Sequence, residues 1–282
     1  MQEISEILVI TGATASGKTK LAIQMAKANN AEIICADSRS VYRDLDIVSA
    51  KVMPDEMKGI QHHMLDILSP NEDFSAGEFK NRALEIIADI QSRGKNVIVA
   101  GGTWFYISSL LGFVDIPEVE PNYELRESLN KKSSLVLYDM LLDLNEKRAR
   151  EIAPENRERV IRAIEIALAG DVQNKKSQKI PYKMIAPDIS RENLYERINK
   201  RVDLMVGMGL EEEYRRNAQK YGVLPLFEAT IGYQEFIKLD NGIYPNKEFA
   251  IDKIKQHTRN FAKRQITWFK SRSDIEYVNV SF

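Results

Sequence analysis

The fold of this 282-residue chain is decided by one octapeptide, Gly12-Ala13-Thr14-Ala15-Ser16-Gly17-Lys18-Thr19. It matches the pattern G-x-x-x-x-G-K-[ST], whose glycines let the backbone curl until amide N–H groups point at phosphate oxygens. The apolar run Ile7–Ile10 precedes it, and apolar residues recur at helical spacing from Lys18 to Ala28. Since the motif requires a strand before it and a helix after it, a phosphate-binding loop (P-loop) is favoured over an accidental match in a structural turn.

The P-loop predicts a ligand that carries a diphosphate or a polyphosphate. Its amides, and the positive end of the dipole of the helix that follows, attract phosphate groups. Lys18 adds a point charge, and the Thr19 hydroxyl is a suitable ligand for Mg²⁺, the cofactor that we expect.

The segments beyond the P-loop alternate between strand and helix. Strand-like runs lie at 32–36 and 96–100, and a helix is predicted between them over 75–93, with Ser75 and Glu78 at capping-box spacing. This rhythm predicts an α/β fold with a P-loop parallel sheet flanked by helices.

The sequence changes in character after about residue 113. Residues 114–180 are charged and helix-like, and we interpret them as a helical insertion domain. A strand and two long helices are predicted beyond it, at 182–188, at roughly 190–221 and at 246–271. The insertion therefore interrupts a P-loop catalytic core formed by residues 1–113 and 181–282.

Polar residues follow two further predicted strands. The second strand ends at Asp37, and the strand at 96–100 runs into Gly101-Gly102-Thr103. Because the carboxyl ends of parallel strands converge on one crevice, Asp37 is placed to act as a general base on an acceptor, and the Thr103 hydroxyl can reach the same crevice. On the residues alone, Asp37 as a helix cap or an Mg²⁺ ligand remains open.

Composition excludes several classes of protein. The 40 Lys and Arg residues against 41 Asp and Glu give a formal net charge of −1, which argues against a general nucleic-acid-coating protein. No stretch is apolar enough for a membrane span, and the acidic start is no signal peptide, so we expect a cytoplasmic protein. The single cysteine cannot form an intramolecular disulfide, and the diverging side chains of His62-His63 favour a structural role over metal ligation.

Positive charge is nevertheless concentrated in two segments. Residues 253–272 contain seven Lys or Arg and no acid, a stripe that attracts a phosphate backbone. Residues 156–162 carry arginines flanked by Glu151, Glu155 and Glu165, which alone predicts only a salt-bridged helix.

The order of the motifs resembles the tRNA dimethylallyltransferases, from about residue 6 to residue 272. A P-loop alone occurs in many families, whereas the ordered set is specific. Besides the P-loop, the matching segments are Ala36–Arg39 with Val41-Tyr42, His62-His63 with Asp66-Ile67, Gly101–Thr103, Arg159–Ala163, Ile231–Tyr233, and Thr258-Arg259 through Trp268-Phe269. The zinc finger of the eukaryotic members has no counterpart in this sequence, so we expect the bacterial type.

The resemblance implies a reaction and its participants. Members of the family transfer a dimethylallyl group from dimethylallyl diphosphate to N6 of the adenine immediately 3′ of the anticodon. The resemblance implies that Asp37 accepts the N6 proton, that Thr103 steadies the reacting centre, and that residues 12–19 hold the diphosphate with Mg²⁺ on Thr19. It also implies a further diphosphate-binding arginine, matched here to Arg215. We expect a monomer that binds the anticodon loop of tRNA.

Two segments fall where the family contacts tRNA. They are Asp37, Ser38, Arg39 and Ser40, and Glu158, Arg159, Val160, Ile161 and Arg162. Ser40 and Glu158 both stand where the family usually has Gln, and Trp104-Phe105 replaces a small-then-apolar pair. None of these departures touches the transfer centre, but together they bear on the choice of tRNA.

Three other functions are compatible with the motifs. They are a P-loop kinase that uses ATP with Asp37 as base for a hydroxyl acceptor, a prenyltransferase acting on free adenine nucleotide, and a tRNA-binding protein with a degenerate site. The intact Gly17-Lys18-Thr19 and Asp37 disfavour the last of these.

Overall fold

The computed structural model describes residues 4–117, 119–170 and 179–280. The chain divides into two compact units. One comprises Met1–Phe113 with Gln178–Phe282 and is called here the core unit, and the other, the insertion unit, is Val114–Ser177. Within the three described ranges, no helix has the length and the apolar character that crossing a bilayer requires.

The core unit is built on a six-stranded sheet. Its strands are β1 (Ile7–Ile10), β2 (Ala31–Ala36), β3 (His62–His63), β4 (Asn96–Gly101), β5 (Tyr182–Asp188) and β6 (Ile275–Asn279). The order across the sheet is β3-β2-β4-β1-β5-β6, and every pairing is parallel. The predicted α/β fold with a parallel sheet flanked by helices is confirmed. Because β4 lies between β1 and β2, the residues after β4 lie between the P-loop and Asp37.

Eleven helices are formed by the described residues. In chain order they are α1 (Lys18–Ala28), α2 (Ala76–Ser92), α3 (Trp104–Leu110), α4 (Tyr123–Asn130), α5 (Ser134–Ala149), α6 (Arg157–Leu168), α7 (Arg191–Gly207), α8 (Leu210–Tyr221), α9 (Pro225–Glu228), α10 (Tyr233–Asp240) and α11 (Lys247–Lys270). Helices α4 to α6 belong to the insertion unit.

Local capping explains where these helices begin and end. Ser75 and Glu78 form the predicted capping box of α2, and Gly94 follows that helix with a φ of 71°. The single long helix predicted over 190–221 is two helices, because Gly209, with a φ of 98°, separates α7 from α8.

Apolar residues of the central strands fix α1 against the sheet. Ile10, Ile33 and Ile98 pack in one buried cluster with Leu21 and Ala22 of α1. Burying a side chain of this kind stabilises the fold by about 1.5–3 kcal/mol. This packing holds the start of α1, and with it the P-loop, at the carboxyl end of β1.

Candidate active site

A cavity of about 690 Å³ lies at the carboxyl ends of the central strands. Its wall includes residues at or after the ends of β1, β2 and β4. In chain order they are Thr14, Lys18, Thr19, Asp37, Ser38, Arg39, Ser40, Gly101, Gly102 and Thr103. The structure therefore brings the predicted phosphate loop and the predicted base together in one place.

The P-loop has the curled backbone that its glycines allow. Gly12, Ala15 and Gly17 all adopt positive φ angles, of 141°, 62° and 95°. Lys18 Nζ donates a hydrogen bond to the Ala13 carbonyl at 2.7 Å, which folds the side chain back over the loop. Ser16 Oγ is buried and has no hydrogen-bond partner among the described residues, so the loop retains a polar group for a ligand.

Positive charge from two elements meets at this wall. Burial and the charge of Arg201 lower the pKa of Lys18 to about 7, while Asp37 acts in the opposite direction. Arg201 extends from α7 into the cavity lining. Desolvation lowers its pKa as well, and Asp37 again opposes the shift. An anionic ligand would relieve the repulsion between the two cations, as a diphosphate would.

The loop after β2 presents Asp37 as a turn residue. Asp37 Oδ1 accepts the backbone N–H of Arg39 at 2.8 Å and that of Ser40 at 3.2 Å. Both bonds use Oδ1, and within the described part of the chain Oδ2 has no hydrogen-bond partner. The carboxylate therefore caps its own turn rather than a helix, and one oxygen is left for the cavity.

The turn after β4 places Thr103 beside this loop. A Cβ on Gly101 would lie 2.0 Å from the carbonyl oxygen of Ala36, so only glycine allows β4 to approach β2 this closely. The Thr103 N–H donates to the same Ala36 carbonyl at 3.1 Å, and Thr103 Oγ1 accepts the Ser38 N–H at 3.0 Å. The Thr103 hydroxyl hydrogen can still donate into the cavity.

Arg215 is not brought to the cavity, contrary to the sequence-based match. It lies on α8, where its guanidinium forms ion pairs with Glu211 at 2.7 Å and Asp240 at 3.3 Å. The cavity is instead lined by Arg39, Arg201 and Arg264. Arg201 is the one whose charge lowers the pKa of Lys18, and it was not predicted from the sequence because no motif marks it. Its only sequence signal is its position inside a predicted helix of the core.

The predicted tRNA-binding segment of the insertion unit splits into exposed and buried residues. Glu158 and Arg159 are exposed near the start of α6. Val160 and Ile161 are buried in the apolar core of the unit, so the prediction of tRNA contacts is corrected for their side chains. Arg162 pairs with the buried Glu165 and donates to the Val119 carbonyl, which gives it a structural role as well.

The two adjacent histidines are held by protein groups. His63 Nε2 lies 2.7 Å from the Glu32 carboxylate, and Arg93 and Lys95 pair with the same carboxylate. His62 Nδ1 lies 2.9 Å from the Ile60 carbonyl. These contacts accord with a structural role for the pair, which orders the segment leading into β3.

Known proteins are similar to this chain in both sequence and fold. Residues 40–272 match the family model described as IPP transferase. The tRNA dimethylallyltransferase of Staphylococcus epidermidis is 42% identical, over 97% of this chain and 86% of that protein. The full-length tRNA isopentenylpyrophosphate transferase of Bacillus halodurans superposes with a TM-score of 0.74 at 34% identity, over 98% of this chain and 91% of that one.

A more distant structure has the same fold. A eukaryotic dimethylallyltransferase, caught in crystallographic snapshots of its action on tRNA, superposes with a TM-score of 0.81 at 27% identity, over 98% of this chain and 74% of that one. Since the family match spans most of the chain and the identity to a curated relative extends over nearly all of it, this chain belongs to the IPP transferase family.

Proposed function

We propose that this chain transfers a dimethylallyl group from dimethylallyl diphosphate to N6 of the adenine immediately 3′ of the anticodon in tRNA. One observation carries the proposal: a single cavity is lined by the P-loop cation Lys18, the carboxylate of Asp37 and the hydroxyl of Thr103. Membership of the family supplies the class of reaction, because curated relatives are named tRNA dimethylallyltransferases.

The leaving group has a suitable binding site on the P-loop wall. Lys18, Arg201 and the loop amides would stabilise the negative charge that grows on the diphosphate as the carbon–oxygen bond breaks. This supports the diphosphate role proposed for residues 12–19, with Arg201 in the role that the family resemblance implied for Arg215.

The same wall suits Mg²⁺ held partly by the ligand. The described residues contain no group of three or more His, Cys, Asp or Glu side chains that could hold an ion. Mg²⁺ commonly takes one or two protein ligands and completes its shell with phosphate oxygens and water. Thr19 lines the cavity and Ser16 keeps an unpartnered hydroxyl, so these residues fit such a site. Bound there, Mg²⁺ would supply further positive charge to the diphosphate.

The acceptor side of the cavity belongs to Asp37 and Thr103. Adenine N6 is a poor nucleophile, so a base must take its proton as the new carbon–nitrogen bond forms. We assign that proton to the free oxygen of Asp37, with the Thr103 hydroxyl steadying the reacting centre. A base stacked in the anticodon loop cannot reach the cavity, so the adenine must be splayed out into it.

Recognition of the tRNA is proposed for exposed residues of the two units and for the loop that lines the cavity after β2. Arg159 and its neighbour Glu158 lie on the insertion unit, and Asp37 to Ser40 line the cavity. Lys263 and Arg264 add exposed charge on α11. The basic side chains among them, Arg159, Lys263 and Arg264, would position a phosphate backbone without reading its bases. We further propose that the enzyme works as a cytoplasmic monomer.

A single assay tests this function against its rivals. The protein is incubated with unmodified tRNA, labelled dimethylallyl diphosphate and Mg²⁺, with AMP and ATP in parallel reactions. Label in tRNA is the expected result, and chelation of the metal should suppress it. Label in AMP alone would support a prenyltransferase of free nucleotides. Phosphate transfer from ATP without prenyl transfer would support a kinase.

A further inference from the structure

One side chain joins the P-loop to the turn that follows β4. Gln265, on α11, accepts the Thr14 N–H through Oε1 at 2.8 Å and donates to the Gly102 carbonyl through Nε2 at 3.0 Å. Because one partner is a donor and the other an acceptor, they fix which way the amide faces. These three residues, called here the Gln265 clamp, come from three separate elements of the core unit.

The glycine in the clamp leaves room for the glutamine. A Cβ on Gly102 would lie 2.6 Å from Gln265 Nε2, too close for both groups to keep their places. Gly102 has no positive φ, so its lack of a side chain serves this approach rather than an unusual backbone conformation.

Hydrogen bonds continue from the clamp to the predicted base. The residue after Gly102 is Thr103, whose Oγ1 accepts the Ser38 N–H, and Ser38 directly follows Asp37. The path therefore runs from the loop proposed to hold the diphosphate to the carboxylate proposed to accept the proton. Ring contacts hold the end of α11 to the same region, since Trp268 stacks on Trp104, the first residue of α3.

We propose that Gln265 is a positioning residue, which fixes the P-loop relative to the Asp37–Thr103 side of the cavity. This proposal rests on the proposed transfer reaction, in which the leaving oxygen, the carbon and the accepting nitrogen must be aligned. A displacement of about 1 Å between reacting groups can cost roughly 10²-fold in rate. The clamp also occupies the Thr14 N–H, so Thr14 would meet the diphosphate through its hydroxyl instead.

The test compares Gln265→Met with a matched control on the same helix. Methionine has nearly the shape of glutamine but can make neither clamp bond. The control is Gln256→Met, because Gln256 is exposed and its side chain makes one hydrogen bond among the described residues, which it accepts from Lys253. For Gln265→Met we expect kcat for transfer to fall by about 10- to 100-fold. The affinity for inorganic pyrophosphate and KM for tRNA should change little, and Gln256→Met should behave as the wild type.

Amide hydrogen exchange detects the hydrogen bond of the Gln265 clamp without depending on the transfer reaction. The Thr14 N–H should exchange faster in Gln265→Met than in the wild type, because it has lost its acceptor. If wild-type protein transfers no prenyl group, the proposed function fails, while the exchange rate at Thr14 still decides whether the clamp exists. An unchanged exchange rate at Thr14 would contradict the hydrogen bond between the Thr14 N–H and Gln265, and with it the clamp.

A second variant keeps the proposal testable if Gln265→Met fails to fold. Gly102→Ala displaces only the far end of the Gln265 side chain, so it should fold, yet it should lower kcat as Gln265→Met does. The positioning role is contradicted if kcat stays within the wild-type range in both variants. It is equally contradicted if pyrophosphate affinity falls in proportion to kcat, since Gln265 would then merely shape the diphosphate site.

Discussion

At the scale of single residues, two of the cations that line the cavity, Lys18 and Arg201, are held in a desolvated environment. Lys18 and Arg201 share the cavity wall, where desolvation lowers the pKa of both and the charge of Arg201 lowers the pKa of Lys18 further. Within the described residues Arg201 has no hydrogen-bond or ion-pair partner. A charge held this way costs stability in the free protein, because it has lost water without gaining a full partner. Such a cost is expected where a ligand is to supply the partner.

Arg201→Met tests this trade between stability and binding. We expect the affinity for pyrophosphate to fall by about 10- to 100-fold, because a lost hydrogen bond to a charged group usually weakens binding by that factor. We also expect the melting temperature of the free protein to rise by about 2–4 °C, because a poorly compensated charge has been replaced by an apolar side chain. Calorimetry and thermal unfolding measure the two effects. Arg215→Met, which removes the ion pairs with Glu211 and Asp240 outside the cavity lining, serves as the control. Equal losses of binding in both variants would reject the assignment.

Asp37→Asn isolates the chemical role of the carboxylate. Asparagine Oδ1 can still accept the N–H groups of Arg39 and Ser40, so the turn should survive, but an amide cannot take up the N6 proton. We expect kcat to fall by about 10²- to 10⁴-fold, the usual range for a lost general base. Pyrophosphate affinity should stay close to that of the wild type. A parallel loss of affinity would mark Asp37 as a metal ligand instead.

Residues in local motifs were predictable, and those that reach the cavity from distant elements were not. The P-loop, Asp37 and Thr103 each lie within three residues of the end of a predicted strand, so the parallel sheet alone brings them together. Arg201 and Gln265 lie within helices whose position depends on tertiary packing. The sequence around them indicates a helix, but only the packed structure shows which face meets the cavity.

At the scale of elements, the predictions that agree with the structure to within one residue are those of β1, β2, β4, β5, α1, α2 and α11. Local patterns mark most of them: apolar runs of strand length for β1, β2 and β4, helical spacing of apolar residues for α1, and a capping box for α2. The two-residue β3 and the edge strand β6 were not predicted, since β3 is defined by pairing with β2 and β6 by pairing with β5. The split between α7 and α8 depends on the backbone conformation of a single glycine.

The insertion unit depends on one buried carboxylate. Glu165 is 3% exposed and accepts from the Asn122 N–H, from Arg126 and from Arg162. Burial alone would raise its pKa, but the hydrogen bonds from Arg126, Asn122 and Arg162 outweigh burial and lower the pKa to about 2. The ionised form is therefore favoured by folding. Its contribution is present above the ordinary pKa of 4.5 and is lost as pH falls toward 2.

Glu165→Gln should remove this contribution. At neutral pH we expect the free energy of unfolding of the insertion unit to fall by about 3 kcal/mol, because two guanidinium groups lose their buried partner. The difference from the wild type should shrink as pH is lowered from 4.5 toward 2. Hydrogen exchange of peptides from residues 119–170 measures this difference in stability. Glu127→Gln, in an exposed pair with Lys131, should have little effect at any pH. A pH-independent difference for Glu165→Gln would contradict the electrostatic explanation.

The exposed start of α6 is the proposed tRNA contact of the insertion unit. Arg159→Glu should raise KM for tRNA by about tenfold and reduce the salt dependence of binding by about one phosphate contact. Pyrophosphate affinity should not change. Arg150→Glu makes the same charge reversal on an exposed residue of the same unit, where Arg150 pairs with Glu146. Equal effects of the two reversals would mean that only the overall charge matters.

At the scale of the whole molecule, the net charge of −1 conceals an uneven distribution. Acidic and basic residues cancel in number, yet cations line the cavity and the exposed face of α11, while several buried acids hold loops in place. Glu213, for example, is 3% exposed and accepts the N–H groups of Asp46, Ile47 and Val48. Average charge therefore says little about the partner, whereas the positions of the charges favour one anionic ligand in one cavity.

The most direct test of the proposed function is a transfer reaction on two tRNAs that differ at one base. One is unmodified and has adenine immediately 3′ of the anticodon, and the other has guanine at that position. We predict that the wild-type protein, with dimethylallyl diphosphate and Mg²⁺, adds one dimethylallyl group to N6 of that adenine, as mapped by mass spectrometry of the digested tRNA. The tRNA with guanine should remain unmodified. Equal modification of both tRNAs, or of neither, would contradict the proposed function.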